Sequence, residues 1–215
     1  MIHIFEDELI FKEKIVKNRL KSNLGLIKNQ IYARKCIIKE IDSQLTNKFL
    51  NKYHLQGEDK SAINLGLFYK TRLVAVMTFS KLRKALGQTH KERLWELSRY
   101  CTIATFNIVG GASKLLTHFE RAYKPLKVIT YADRRWSQGN MYYKLGFALD
   151  HISSPNYWYI PYGGRFRYYR FNFRKNILPT KLEKFDSELT EWQNMQNNGY
   201  DRIWDCGNLV FIKNY

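Results

Sequence analysis

The sequence contains few cysteines and no long apolar segment, and both absences exclude classes of protein. Cys36, Cys101 and Cys206 are far apart, so neither a disulfide framework nor a Cys-x-x-Cys metal site is encoded. No apolar run approaches the roughly 20 residues of a membrane span. Acidic residues within the first eight positions do not fit a signal peptide. We therefore expect a cytoplasmic protein with reduced thiols, no metal and no membrane partner.

Acidic residues are also scarce relative to basic ones. The 215 residues include 36 Lys and Arg against 19 Asp and Glu, which gives a formal charge of +17. Such an excess attracts polyanions, either a nucleic acid or an anionic membrane surface. Because the cations are spread along the chain and interleaved with aromatic residues, the pattern favours a nucleic acid, and DNA over RNA.

The hydrophobic pattern predicts alternating strands and helices, which is typical of the α/β class. Strands are predicted at 2–5, 31–41, 63–69, 73–79, 94–102, 128–131, from 147, at 157–160, 165–173, 202–204 and 209–212. Helices are predicted at 8–21, 42–53, 110–123, 138–145 and 185–195. Three segments result: a basic strand-helix extension (1–29), a main domain (31–175) and a helix-hairpin appendage (176–215).

Two local motifs lie within the main domain. Asn107-Ile-Val-Gly-Gly-Ala112 opens a helix directly after a strand, and the second motif is Gly139-Asn-Met-Tyr-Tyr-Lys-Leu-Gly-Phe147. Together with the element order they resemble the GNAT acyltransferase family. The resemblance implies a central mixed sheet flanked by helices and an acyl-coenzyme A cofactor. The cofactor's pyrophosphate would bind at Asn107, Gly110, Gly111, Ala112 and Ser113, although the family prefers Gln or Arg at the first position. Alternatively, the glycines serve only a tight strand-to-helix turn.

A narrower resemblance adds candidate catalytic residues. The segments Tyr53-His-Leu-Gln-Gly57, Tyr131-Ala-Asp133 and Gly139 to Tyr143 resemble the Mom family of GNAT-like phage enzymes, which modify adenine in DNA. This resemblance implies catalytic roles for His54 and Asp133, with Tyr142 or Tyr143 nearby. The alternatives are a histidine at a helix end for His54 and a cap or an ion pair with Arg134 or Arg135 for Asp133.

A third resemblance spans the whole chain. Ile2-His-Ile-Phe-Glu-Asp-Glu8 and Ile31-Tyr-Ala-Arg-Lys-Cys36 are similar to the end of the nuclease core in phage homing endonucleases of the very-short-patch-repair type. In those proteins a GNAT-like region follows the nuclease. Because Glu6 and Asp7 alone cannot form a two-carboxylate hydrolytic site, we expect no nuclease activity from this chain by itself.

Basic segments supply candidate nucleic-acid contacts. They lie on the first helix, where Arg19 is also expected to face water, in the loop after residue 80, beside Asp133, and in the alternating cation-aromatic stretch 165–175. The candidates are Lys12, Lys17, Arg83, Lys84, Arg134, Arg135, Trp136, Arg165, Arg167, Arg170 and Arg174. Phosphate contacts and base stacking are the expected interactions. The alternatives are a buried Trp136 and an ordinary strand with a solvated basic face.

Three functional hypotheses follow. The first is a Mom-like transferase that modifies a DNA base, and the second is a non-catalytic DNA-targeting module derived from a homing endonuclease. The third, an acetyltransferase of proteins or small amines, is disfavoured by the charge of +17.

Overall fold

The structure is a computed structural model that describes residues 1–82 and 93–215. Its helices are α1 (Glu6–Asn23), α2 (Ser43–Tyr53), α3 (Gly111–Tyr123), α4 (Asn140–Lys144) and α5 (Glu191–Asn197). Its strands are β1 (Gln30–Tyr32), β2 (Cys36–Glu40), β3 (Ile63–Tyr69), β4 (Arg72–Lys81), β5 (Leu94–Thr102), β6 (Asn107–Val109), β7 (Lys127–Asp133), β8 (Ala148–Ile152), β9 (Tyr157–Pro161), β10 (Tyr168–Tyr169), β11 (Tyr200–Trp204) and β12 (Asn208–Asn214).

A seven-stranded mixed sheet organises the chain, in the order β2-β3-β4-β5-β7-β12-β8. Its neighbouring strands are antiparallel except β5 and β7, which run parallel. Parallel neighbours need a crossover connection, and α3 lies in the connection between these two strands. The predicted α/β class, with a central mixed sheet flanked by helices, is confirmed.

The helices cover the sheet with apolar side chains. On α3, Leu115 and Phe119 are fully buried, and the Phe119 ring stacks on Phe79 of β4 with centroids 3.6 Å apart. Helix α2 begins at an Asp42 cap, whose carboxylate accepts from the Leu45 N–H at 2.7 Å, as the capping pattern predicts. Since strands β3 and β4 are buried over most of their length, this part of the sheet forms the main core.

The end of the described chain differs from the predicted appendage. Strand β12 lies inside the main sheet between β7 and β8, whereas β11 belongs to a three-stranded sheet of order β10-β9-β11. The predicted hairpin of 202–204 with 209–212 is therefore wrong, because its two strands pair in different sheets. Residues 153–207 form an inserted segment between two neighbouring strands, and α5 packs within it.

The amino-terminal segment also differs in detail. No strand forms at 2–5, and α1 starts two residues earlier than predicted. The fully buried Val16 of α1 packs with Leu55 and Trp136, so this helix is part of the folded body. Among the described residues, no helix is both long and apolar enough to cross a membrane.

Candidate active site

Strands β5 and β7 pair over only part of their length, and a cleft opens where they separate. The parallel ladder runs from Leu94 with Lys127 to Leu97 with Thr130. The Thr130 hydroxyl donates to the Leu97 carbonyl at 2.9 Å, at the end of the ladder. Beyond this point β5 continues to Thr102 and β7 to Asp133 without pairing with each other. Side chains from both strands and from neighbouring helices can therefore enter the space between them.

A polar cluster lies near this point, where Tyr142 hydrogen-bonds the Thr130 side chain. Arg19 of α1 and Arg99 of β5 are close enough to act electrostatically on both His54 and Tyr142. The Arg19 guanidinium lies over the Trp136 ring, 4.9 Å from its centroid, and burial lowers the Arg19 pKa. We refer to His54, Arg19, Arg99 and Tyr142 as the cleft cluster. It contains two of the four predicted catalytic residues.

His54 follows the last turn of α2, and its imidazole is neutral. Burial, together with the charges of Arg99 and Arg19, lowers its pKa to about 3. Its Nδ1 accepts a hydrogen bond from the Gln56 N–H at 3.2 Å, so the proton of the neutral ring is on Nε2. In this state Nε2 can donate a hydrogen bond. The predicted catalytic role of His54 stays a prediction.

Asp133 ends β7 and is held by an arginine. Its carboxylate accepts from Arg135 Nη2 at 2.7 Å and from the Arg135 backbone N–H at 2.9 Å. Arg135 in turn donates to Glu8 of α1 at 3.0 Å, with both side chains almost fully buried. The ion pair considered as the alternative for Asp133 is thus formed with Arg135. The second ion pair of Arg135, with Glu8, attaches α1 to the end of β7. The predicted catalytic role of Asp133 stays a prediction.

The two tyrosines of α4 differ in their environments. Tyr142 stacks on Phe211 of β12, and burial raises its pKa, an effect offset in part by a hydrogen bond with the Thr130 side chain. Its hydroxyl thus stays protonated at neutral pH, at the point where β5 and β7 separate. Tyr143 is 50% exposed and meets Phe211 edge-on. Between the two predicted candidates, the structure favours Tyr142.

The predicted phosphate-binding turn lies at the start of α3. Gly110 has φ of +74°, which suits glycine, and a Cβ on Gly111 would lie 2.8 Å from Ile108 and 2.9 Å from the Tyr100 hydroxyl. Both glycines therefore serve the tight turn that was considered as the alternative. Asn107 lies earlier, in β6, which pairs with β1.

A cavity of about 570 Å³ adjoins this turn, and we call it the α3 cleft. It is lined by Tyr32, Ala33, Arg34, Val109, Gly110, Ser113 and Lys114. Lys114 donates to the carbonyls of Ala33 and Cys36 at 2.9 and 2.6 Å, which leaves one ammonium hydrogen for another acceptor. The cleft thus combines cations with the N-terminal N–H groups of a helix, a combination that attracts anions. Ala112 is almost fully buried, and its backbone hydrogen-bonds the Tyr100 hydroxyl.

Several residues predicted to contact nucleic acid make contacts within the fold. Arg135 and Trp136 are only 6% and 7% exposed, so their side chains are not presented to a ligand in this conformation. Arg167 binds Asp7 at 2.9 Å and Glu8 at 3.2 Å. Lys12 donates to the Leu55 carbonyl at 2.5 Å.

The remaining predicted contacts are at or near the surface. Lys17 pairs with Glu13 along α1, Arg165 pairs with Glu6, and Arg134 donates to the Cys206 carbonyl. Arg170 and Arg174 lie over aromatic rings. Arg83 and Lys84 lie outside the described residues. Within 1–82 and 93–215, no group of three or more His, Cys, Asp or Glu side chains is placed to hold a metal ion.

Sequence reasoning did not identify the two arginines of the cleft cluster. Arg19 follows the pattern of a water-facing residue on a basic helix, and its burial depends on where α1 docks. Arg99 carried only a weak signal, since it is one of two charged residues, with Glu96, inside the predicted strand 94–102. A buried charge in a strand often marks a site.

Comparisons with known proteins identify structural similarity to GNAT acetyltransferases. Neither a family model nor a curated protein matches the sequence. A GNAT family acetyltransferase from Elizabethkingia anophelis with acetyl-CoA bound is 11% identical, with a TM-score of 0.43, over 84% of this chain and 99% of that one. Arabidopsis thaliana Naa50 in complex with the bisubstrate analogue CoA-Ac-MVNAL is 12% identical, with a TM-score of 0.45, over 84% and 99%.

A third similar structure is the PaiA N-acetyltransferase of Thermoplasma acidophilum in complex with coenzyme A. It is 16% identical, with a TM-score of 0.39, over 70% of this chain and 90% of that one. Similarities of this size assign neither a substrate nor a cofactor to this chain.

Proposed function

We propose that this chain is a GNAT-like transferase that moves an acyl group from coenzyme A to an amino group of a nucleic-acid base. One observation carries the proposal: β5 and β7 separate after Leu97 and Thr130, and Tyr142, which bonds Thr130 at this point, lies under the influence of the same two arginines as His54. Ionisable groups with strongly shifted pKa values, gathered in one cleft, are typical of catalytic sites.

The residues at the start of α3 fit the donor's phosphates. Arg34 and Lys114 provide cations on the wall of the α3 cleft, and Lys114 retains one free N–H. Gly110 leaves the backbone open, since a Cβ there would come no closer than 3.8 Å to Ala33. When bound, acyl-coenzyme A would supply an activated thioester.

The cleft cluster provides two uncharged hydrogen-bond donors for the transfer. Tyr142 keeps its hydroxyl proton at neutral pH and can give that proton to the thiolate that leaves as the acyl carbon–sulfur bond breaks, and the proton lost by the acylated amino group restores the hydroxyl. His54 presents Nε2–H, which can orient a carbonyl oxygen or a ring nitrogen of the acceptor. Burial, with the charges of the two arginines, lowers the pKa of His54 and keeps the ring neutral, so it retains this role across the physiological range.

The net charge of +17 supports a nucleic-acid acceptor. The test is mass spectrometry of nucleosides digested from the DNA and RNA of cells that express the chain. We expect a nucleoside of added acyl mass with the wild type and its loss with Tyr142→Phe. Tyr123→Phe is the control, because its hydroxyl bonds Glu40 at the far end of α3.

Two results would contradict the proposal. An unmodified nucleoside profile combined with no calorimetric signal for coenzyme A excludes the transferase. If salt-sensitive DNA binding persisted in that case, the chain would be a targeting module. Full modification by Tyr142→Phe would remove the assigned role of that hydroxyl.

A further inference from the structure

The inserted segment carries an unusual number of exposed aromatic side chains together with basic ones. Residues 162–182 include six cations, namely Arg165, Arg167, Arg170, Arg174, Lys175 and Lys181, and no Asp or Glu. Tyr162, Phe166, Tyr168 and Tyr169 in the same stretch are each 42–62% exposed. Contiguous exposed apolar surface on a folded protein often marks an interaction site.

Part of this surface is a continuous row of flat groups. Trp204 contacts Tyr157 with ring centroids 4.9 Å apart, and Arg170 lies 5.0 Å from Tyr157 and 4.8 Å from Phe171. Phe171 also contacts Arg174 at 4.6 Å and Tyr169 at 5.1 Å. We call these six residues the aromatic-arginine row. Its spacing of about 5 Å is maintained by cation–π and ring contacts.

The two ends of the row have free ring surface. Trp204 is 53% exposed and Tyr169 is 49% exposed. Among the described residues, Arg170 and Arg174 contact rings and form no ion pair with a carboxylate, unlike Arg165 and Arg167. The row therefore offers positive charge as well as stacking surface.

The row begins close to the candidate active site. Trp204 precedes β12, whose first residue, Asn208, lies opposite Asp133 at the end of β7. Arg134 ties this connection to the sheet, because its Nη1 donates to the Cys206 carbonyl at 2.8 Å. A polymer bound along the row would approach the end of β7 that carries Asp133.

We infer that the aromatic-arginine row binds unpaired nucleotides of a single-stranded nucleic acid and guides the strand to the cleft. Bases have flat faces that stack on aromatic rings and guanidinium planes, and their phosphates need cations. In a duplex the base faces are covered by neighbouring pairs and do not reach a protein surface. The inference rests on the proposed function for its nucleic-acid partner.

The test uses the full chain and a fluorescent 12-nucleotide strand, with binding followed by anisotropy. We expect the single strand to bind more tightly than a duplex of the same sequence. Trp204→Ala and Tyr169→Ala should each weaken binding roughly 5- to 150-fold, while Trp204→Phe keeps most of the affinity. Tyr215→Ala is the matched control, because Tyr215 is 48% exposed and follows Asn214, which pairs with the opposite end of β7.

A second readout separates stacking from charge. A strand that contains 2-aminopurine should lose fluorescence when it binds the wild type and keep it when it binds Tyr169→Ala. The affinity of Tyr169→Ala for the strand should depend on salt as steeply as that of the wild type. DNA and RNA strands of equal sequence show which polymer the row prefers. Should Trp204→Ala unfold, Tyr169→Ala and Trp204→Leu still test the row, since Leu keeps an apolar side chain but offers no ring.

Unchanged affinity in folded Trp204→Ala and Tyr169→Ala, or equal binding of duplex and single strand, would overturn the inference. So would Trp204-dependent sedimentation with phosphatidylserine vesicles in the absence of strand binding, which would indicate a lipid surface. If Trp204-dependent strand binding occurs without nucleoside modification, the inference stands and the proposed transferase fails.

Discussion

The seven-stranded sheet and the inserted segment 153–207 are stabilised in different ways. In the sheet, aliphatic and aromatic side chains from β3, β4, β5 and α3 form one large apolar cluster. In the insertion, only Tyr159, Phe173, Leu178 and Met195 are buried in the corresponding cluster.

The insertion adds polar interactions to this small core. The buried Asn194 amide donates to the carbonyls of Asp186, Leu189 and Thr190. The Tyr159 hydroxyl donates to Glu191 and accepts from Arg202. A small unit buries too little apolar surface to fold on that term alone, so specific hydrogen bonds carry more of its stability.

The largest effect should come from opening the sheet core. Phe79→Ala removes the ring that stacks on Phe119 inside a fully buried layer. We expect a loss of about 3–5 kcal/mol in the free energy of unfolding, measured by urea denaturation. Phe173→Ala in the insertion is the matched change and should cost less. Equal losses would show that the two cores are equivalent.

A change of pH should distinguish the polar cleft from the apolar core around it. The pKa of His54 is about 3 in the folded chain against 6.5 for an ordinary histidine, so below pH 6.5 the unfolded chain binds a proton that the folded chain does not. The contribution of His54 to the free energy of unfolding is therefore fully present above pH 6.5, and it is lost as the pH decreases towards 3. Between pH 7.5 and 5 the wild type should lose about 2 kcal/mol more than His54→Gln. Parallel stability curves for the two proteins would contradict this shift.

A smaller change should affect the insertion alone. Tyr159→Phe removes a hydroxyl that bonds Glu191 at 2.6 Å and Arg202 at 3.1 Å. We expect a loss of about 1.5 kcal/mol, seen as faster amide hydrogen exchange across 157–204 with no change in β3 and β4. Tyr123→Phe, whose hydroxyl bonds the exposed Glu40, is the control in the body. Faster exchange across the sheet as well would show that the two regions unfold together.

The smallest expected effect concerns the cap of α5. The Thr190 hydroxyl accepts from the Gln193 N–H at 3.2 Å in a reciprocal capping box. Thr190→Ala should cost about 1 kcal/mol in local stability, measured by hydrogen exchange in α5, and Thr190→Ser should restore most of it. If exchange in α5 is unaffected, the helix is held by packing alone.

Local patterns in the sequence predicted much of the sheet but not its strand order. The bounds of β3 and β5 agree with those that the sequence predicted. Strand β12 was recognised as a strand, yet its neighbours β7 and β8 are distant in sequence, and periodicity contains no information on such pairing. The helix expected at 185–195 lies at Glu191–Asn197, because Thr190 forms its cap.

The candidate site shows the same limit. His54 and Tyr142 were found through motifs, and the structure brings them under the influence of the same two arginines. Arg19 could not be found in this way, because its position depends on the ion pairs that join Glu8 and Asp7 to Arg135 and Arg167. Those pairs connect residues more than 100 positions apart, beyond the reach of any local pattern.

The point where the insertion leaves and rejoins the sheet has an evolutionary consequence. The Ser153 N–H donates to the Asn208 carbonyl, and the Asn208 N–H donates to the Ser153 hydroxyl, both at 2.9 Å. Entry and exit are thus adjacent, as at the ends of a hairpin loop. A lineage could lengthen, replace or discard everything between them without shifting the register of β8 against β12. The inserted segment can therefore vary in length and sequence while the order of the seven-stranded sheet stays the same.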